Sequence, residues 1–293
     1  MASKSNGSAP GLKQKVNKLF HPVHDLDRRI DTKFQAINTQ FQAVNERVDD
    51  LSVQINQIVS LLGLKYQLPA IPPKHLQVRV AGGYRAAFFE LGKSMFQDLE
   101  GLLQNHGLSM FQFNRMLDFG CGCGRFLIPM SHRMDPKKLS GTDIDAEAIQ
   151  WLRANYPIFD DLDVNDCAPP TKYPDGTFDF VFSVSIFTHL PEEMQHAWLK
   201  ELARIMAPGG YGIFTTHGEK HYPHLSAPAR GQLLEKGFYY HVGGKTEGLP
   251  DFYQTSFHTH DYIRREWGRY FEIVALQKRG LADHQDTVLV KKR

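Results

Sequence analysis

The segment MLDFGCGCGRFL, Met116 to Leu127, sets Gly120, Gly122 and Gly124 at alternate positions directly after a run patterned as a β-strand. Glycine reaches positive φ without penalty and lets a backbone approach a ligand closely, so this spacing points to a loop that cradles a small molecule. Two chemistries match the residue types poorly. Cys121 and Cys123 are separated by one residue rather than the two typical of a zinc thiolate pair, and no second Cys/His pair has matching spacing. A dinucleotide fingerprint runs Gly-x-Gly-x-x-Gly and places pyrophosphate at a helix N-terminus. Here the third glycine comes one residue early, and Asp118 would repel a phosphate. An acid in that place suits an ammonium group instead.

The elements that must position this loop follow from hydropathy patterning. From Arg115 the pattern runs strand, loop, helix, and repeats: RMLDFG then RFLIPMSHRM, KLSGTDI then DAEAIQWLRANY, FDFVFSV then PEEMQHAWLKELARIM, and finally GYGIFTTH. Such alternation predicts an α/β fold with a parallel sheet covered on both faces. YFEIVALQ and DTVLVKK, separated by a short turn-like stretch, predict an antiparallel hairpin closing the sheet. Residues 218–257, dense in Gly, Pro, His and Tyr, interrupt the alternation just after a strand end, where a substrate-covering insertion belongs.

Ahead of this domain, residues 1–15 read as a flexible tail and 16–63 as a long helix. One heptad set is Val16, Val23, Ile30, Ile37, Val44, Leu51 and Ile58; the other is Phe20, Asp27, Phe34, Phe41, Val48, Ile55 and Leu62. Such a narrow stripe predicts a coiled coil about 70 Å long at ~1.5 Å per residue. β-branched residues in the first set and Phe in the second lean towards three or four strands rather than two. Gly63 and LPAIPP end the helix, 64–108 supply a linker and a helical cap, and 109–293 form the main domain. The chain has 293 residues and a net charge of +2, with three cysteines, no apolar run of bilayer length and no signal-peptide core. These features exclude a disordered or strongly nucleic-acid-seeking chain and a disulfide framework, and predict a reducing, cytoplasmic location.

LDFGCGCGR resembles the first motif of class I S-adenosylmethionine-dependent methyltransferases. The resemblance implies a Rossmann-like, mostly parallel seven-stranded sheet, with S-adenosylmethionine as cofactor. It implies that the loop of Gly120, Cys121, Gly122 and Gly124 admits the methionine part, with Asp118 holding the amino group. GTDID is similar to the end of the family's second strand, which gives Asp143 to the ribose hydroxyls and Ile144 to the adenine. VNDCAPPTKYPDGTFDFVFS implies Asp166 at the adenine amino group beside Cys167, and Ser183 and Val184 beside the sulfonium. LARIMAPGGYGIF is similar to the family's entry to the fifth strand.

Methyl transfer is an in-line displacement that needs alignment, and a hydroxyl acceptor benefits from a base such as histidine. Of 14 histidines, His189, His217 and His258 lie where this fold would place the acceptor, with His217 first among them. Histidines 217, 221 and 224 could be counted as metal ligands, but no carboxylate partner has ligand spacing, and no metal is expected. Neither a basic run with interleaved aromatics nor the Asn/Asp-Pro-Pro-Tyr/Phe signature of amino-methylating enzymes is present, so no nucleic acid is expected. SVSIFTHL, the PEE-containing helix and HQDTVLVKK resemble bacterial methyltransferases of glycan and surface-polysaccharide pathways. The expected acceptor is a hydroxyl of a glycan or a small molecule. Small-molecule secondary metabolism is the alternative, and a non-catalytic coiled-coil scaffold is the third.

Overall fold

The computed structural model describes residues 70–83, 88–244, 246 and 248–293, together with sixteen scattered residues between 32 and 58. The chain divides into two compact units, Met1–Pro69 and Ala70–Arg293. In the first unit the described residues are all helical and exposed. Ile37, Val44, Leu51 and Ile58, one heptad apart, are 52%, 60%, 49% and 55% exposed, an apolar stripe facing outwards. The second heptad set, the first three members of the first and Gly63 lie outside the described residues.

In the second unit, β1 (Met116–Phe119), β2 (Leu139–Asp143), β3 (Asp161–Val164), β4 (Phe178–Ser183), β5 (Met206–Thr216), β8 (Glu272–Leu281) and β9 (Gln285–Lys291) form one seven-stranded sheet. Its order is β3-β2-β1-β4-β5-β9-β8. The first five strands run parallel, and β9 is antiparallel to both β5 and β8. The expected C-terminal hairpin is therefore present, with its second strand inserted between β5 and β8. Strand order reverses between β1 and β4, which opens the crevice where open α/β sheets bind ligands.

Alternate side chains feed cores on opposite sheet faces. Met116 packs with Leu127, Ile149 and Leu152, and Leu117 and Phe119 with Trp198, Leu202 and Phe214. The helices over the two faces include α4 (Ala146–Asn155) and α5 (Glu192–Ile205). α4 starts at Asp145, whose side chain accepts from the amides of Glu147 and Ala148, which satisfies donors that a bare helix end leaves orphaned.

The stretch read as linker and cap is part of this unit. Two helices form there, α1 (Lys74–Ala81) and α2 (Phe88–Gln104), with α3 (Leu127–Ser131) following the glycine loop. Met95, Phe96, Leu99, Leu102 and Leu103 of α2 sit in the same core as Met116 and Phe126. Burying each such side chain contributes roughly 1.5–3 kcal/mol, which makes α2 a structural layer of the domain. The compact unit thus begins at Ala70, ahead of the boundary at 109 that the sequence suggests.

Residues 218–257 fold as a 3₁₀ turn (Glu219–His224), α6 (Ala227–Lys236), and β6 (Phe238–His241) paired antiparallel with β7 (Thr255–His258). The pair is tied to the main sheet at His217, whose carbonyl accepts from the His258 amide at 3.0 Å. His258 closes β7 and His260 opens α7 (His260–Glu266). No described helix is long and apolar enough to cross a membrane.

Candidate functional site

The loop after β1 is held by its neighbour strand. The amides of Gly120 and Cys121 both donate to the Thr142 carbonyl, at 2.8 and 3.1 Å. The Gly122 amide donates to Asp143 Oδ2 at 2.7 Å, and the Asp145 amide to Asp143 Oδ1 at 2.8 Å. Burial raises the Asp143 carboxyl to about 6 against the opposing pull of these two amides. Gly120 and Gly122 have φ of 84° and 53°. A Cβ at Gly120 would meet Ile186 Cδ1 at 2.3 Å, and one at Gly122 would meet Val80 Cγ2 at 2.4 Å. The crowding that requires glycine comes from the protein's own side chains.

Around this loop lies a cavity that opens to solvent. Gly120, Gly122, Asp143, Ile144, Cys167 and Val184, all expected there, line it. The other expected residues stand back. Cys121 is buried, with its Sγ in the space that a Cβ on Gly141 would need, and Gly124 is packed under Leu152 and Ile128. Ser183 is fully buried and its Oγ has no partner. Asp166 is exposed and outside the cavity lining, whereas its neighbour Asn165 lines it and accepts from Thr142 Oγ1 at 2.8 Å. Asp118 is buried behind the loop, and its Oδ2 has no hydrogen-bond partner. Burial pushes the Asp118 carboxyl well up; the Arg125 charge opposes this and the Asp143 charge adds to it.

The cavity also has residues that motif spacing does not mark. Arg79 of α1 donates to Asp145 Oδ2 at 3.0 Å and to Glu147 Oε2 at 2.8 Å, which lays α1 across the mouth. Ser185 follows β4 with φ of 63°, a left-handed conformation costly for a residue with a side chain. Three bonds hold it: its amide donates to Thr215 Oγ1, Gln285 Nε2 donates to its hydroxyl, and the Tyr253 hydroxyl donates to its carbonyl, each at 2.9 Å. Arg79, Val80, Arg125, Ser185, Leu249 and Tyr253 are shared with a second cavity, so the two lie side by side. Within 218–257, Leu249, Phe252 and Tyr253 reach the first cavity, and Gly244, Thr246 and Gln254 the second.

The three candidate histidines separate here. His189 and His217 line the second cavity. His189 stacks on Tyr253 at 4.3 Å between centroids, and its Nδ1 bonds the Gln254 carbonyl. Burial lowers its pKa, and that hydrogen bond pulls it back up. His217 Nδ1 bonds the Ser256 carbonyl at 3.2 Å; burial first, then the imidazoles of His221, His189 and His284, lower it to about 2. His258 does not reach either cavity, contrary to expectation. It is fully buried, and its Nε2 donates to Gln195 Oε1 at 2.8 Å. Gln195 Nε2 in turn donates to the carbonyls of Phe187 and Leu190, so His258 braces the segment that carries His189.

The sheet order, the glycine loop pinned to Asp143 and the crevice between β1 and β4 together form one ligand-sized site at the strand ends. Residues 116–210 match the family model described as a methyltransferase domain. The chain is similar to the fatty-acid O-methyltransferase of Mycolicibacterium smegmatis, 31% identical over 101 residues covering 34% of this chain and 36% of that protein. It is also similar to the ajmaline N-methyltransferase of Rauvolfia serpentina, 32% identical over 107 residues and 35% of each chain. The chain thus spans about a third of the length of these curated relatives. Among solved structures, an S-adenosylmethionine-dependent methyltransferase from Clostridium acetobutylicum superposes with a TM-score of 0.49 at 14% identity, covering 68% of this chain and 91% of that one. The residues present fit such a cofactor: Asp143 at the end of β2 lines the cavity beside Gly120, Gly122 and Ile144, an acceptor set against backbone that approaches closely.

Proposed function

We propose that this protein transfers a methyl group to an oxygen of a glycan or small molecule bound in the second cavity. The observation that carries this reading is the junction of the two cavities at Ser185 and Tyr253, with His189 and His217 beyond it. S-adenosylmethionine in the first cavity supplies an electrophilic methyl group. Asp143 and Ile144 hold its nucleoside end. Ser185 and Tyr253 fix the wall between the cavities, so that an acceptor beside them is aligned for in-line attack with water excluded.

His189 stands ahead of His217 as the group that receives the acceptor proton. Both imidazoles are neutral near pH 7, but four neighbouring imidazoles, those of His221, His189, His284 and His258, oppose any proton placed on His217. At His189 the Gln254 carbonyl supports the ring cation. An O-methyl acceptor is consistent with the fatty-acid O-methyltransferase relative.

Self-association through the N-terminal helix completes the reading, supported by the outward heptad stripe from Ile37 to Ile58. Methyl-labelled S-adenosylmethionine, incubated with the full chain and panels of hydroxylated glycans, fatty acids and phenols, tests the activity. Label in any product supports methyl transfer and identifies the acceptor. Cofactor that binds but never turns over with any acceptor points to the scaffold alternative.

A further inference from the structure

Three imidazoles from separate parts of the chain converge at the end of β5. Among the described residues, one ring nitrogen from each of His217, His221 and His284 lies within 4.8 Å of the other two. His221 is 4.4 Å from His217 and 4.5 Å from His284, centroid to centroid. His217 follows the last residue of β5, His221 sits in the 3₁₀ turn beyond it, and His284 stands in the turn between β8 and β9. Antiparallel pairing of β5 with β9, Thr216 opposite Asp286, brings the last of these beside the first two.

The rings are already oriented. His217 Nδ1 bonds the Ser256 carbonyl at 3.2 Å, and His221 Nε2 bonds the His284 carbonyl at 2.9 Å. A carbonyl on one nitrogen fixes the tautomer and leaves the other nitrogen with its lone pair, the arrangement that metal-ligating histidines commonly show.

We propose that His217, His221 and His284 form a site for one divalent transition-metal ion, zinc being the best match to three imidazole donors. Nitrogen donors in an open tripod select zinc and its first-row neighbours over magnesium or calcium, which prefer oxygen. The set differs from the 217, 221, 224 grouping that sequence counting raises, because His284 is supplied by the fold. His217 and His284 also line the acceptor cavity. Three protein ligands leave a position open, and an acceptor oxygen bound there would give up its proton more readily, with His189 at hand to take it. That use of the ion rests on the methyl-transfer reading; the binding of the ion does not.

The experiment titrates the full-length chain with Co²⁺, followed by visible d–d absorption, and measures retained zinc after dialysis. One ion per chain with a tetrahedral-type spectrum is expected. The pair His221→Gln and His284→Gln, at half-buried and exposed positions, should weaken the site by more than the roughly 10–100-fold that outer partners contribute. His284→Gln alone, the mildest change, should weaken it in the same direction, whereas His132→Gln should leave it intact. Calorimetric binding of S-adenosylmethionine should be unchanged in all three, which reports that each variant is folded. Absence of metal binding by the unsubstituted chain, or the same occupancy in it and in the double variant, overturns the site. A bound ion without any methylated product removes the methyl-transfer reading and leaves the metal site standing.

Discussion

The Gly122 amide and the Asp143 carboxylate are joined by a 2.7 Å hydrogen bond, so the glycine loop and the end of β2 move as one piece. The same carboxylate that faces the cavity also holds the shape of the loop around it. Replacing it therefore affects both binding and folding. Asp143→Ala should weaken S-adenosylmethionine binding by about 1–3 kcal/mol, since it strands two amides and removes an acceptor from the cavity. Calorimetry showing unchanged affinity would remove Asp143 from the site.

Stability should carry the titration of Asp143. Its folded pKa is raised to about 6, above the ~3.9 of an unfolded chain, so the folded state holds the proton more tightly. The contribution is full below roughly pH 4 and is lost as pH rises through about 6. Asp143→Asn removes it, so the variant should gain on the parent between those pH values, by up to roughly 3 kcal/mol. Urea denaturation at both ends of the window measures this; parallel pH profiles would refute it.

Histidine substitutions should divide by position. His189→Ala should lower turnover by roughly 10²–10⁴-fold with cofactor affinity intact, as loss of a general base does. His258→Ala should instead destabilise the fold by about 1–3 kcal/mol, because it leaves Gln195 Oε1 buried without its donor. Turnover per folded molecule should then stay near the parent's. A large loss of turnover in folded His258→Ala would return that residue to the chemistry.

Helix α1 should act as a latch on the cofactor cavity. Arg79→Ala breaks the contacts to Asp145 and Glu147, and a solvent-screened pair of this kind corresponds to about two- to fivefold in Kd. Release of S-adenosylmethionine, followed by stopped flow, should be faster by a similar factor. Unaltered release would mean that packing of Val80 alone holds the helix.

Assembly should depend on the exposed stripe. Val44→Lys and Leu51→Lys replace outward-facing residues, so the fold of each chain should survive. The oligomer, a trimer or tetramer by the pattern of seam residues, should fall to monomers, because an unpaired ammonium is costly in a closed seam. Light scattering measures the mass directly. An unchanged oligomer would place the self-contact on the main domain.

What was legible in the sequence is what short-range physics decides. The alternation of strand and helix predicts the parallel sheet, since side-chain period alone tells which face each element buries. The glycine spacing identifies the loop, and Asp143 and Ile144 come from the resemblance of GTDID to the end of the family's second strand. A Cβ at Gly122 would also meet Val80, forty-two positions earlier, a neighbour that no motif spacing marks. Helix α1 carried no motif, and only packing placed Arg79 over the mouth of the cavity.

The acceptor side was the tertiary structure's decision. Of fourteen histidines, the sequence singled out His189, His217 and His258 and put His217 first. His258, which looked catalytic, was drawn inward by its bond to Gln195. His284, which nothing marked, was carried to His217 by the pairing of β9 against β5. Local patterning sets the conformation of each segment over a few residues, through sterics and side-chain period. Which distant side chains share a cavity depends on strand order and loop closure, and those are settled only when the whole sheet assembles.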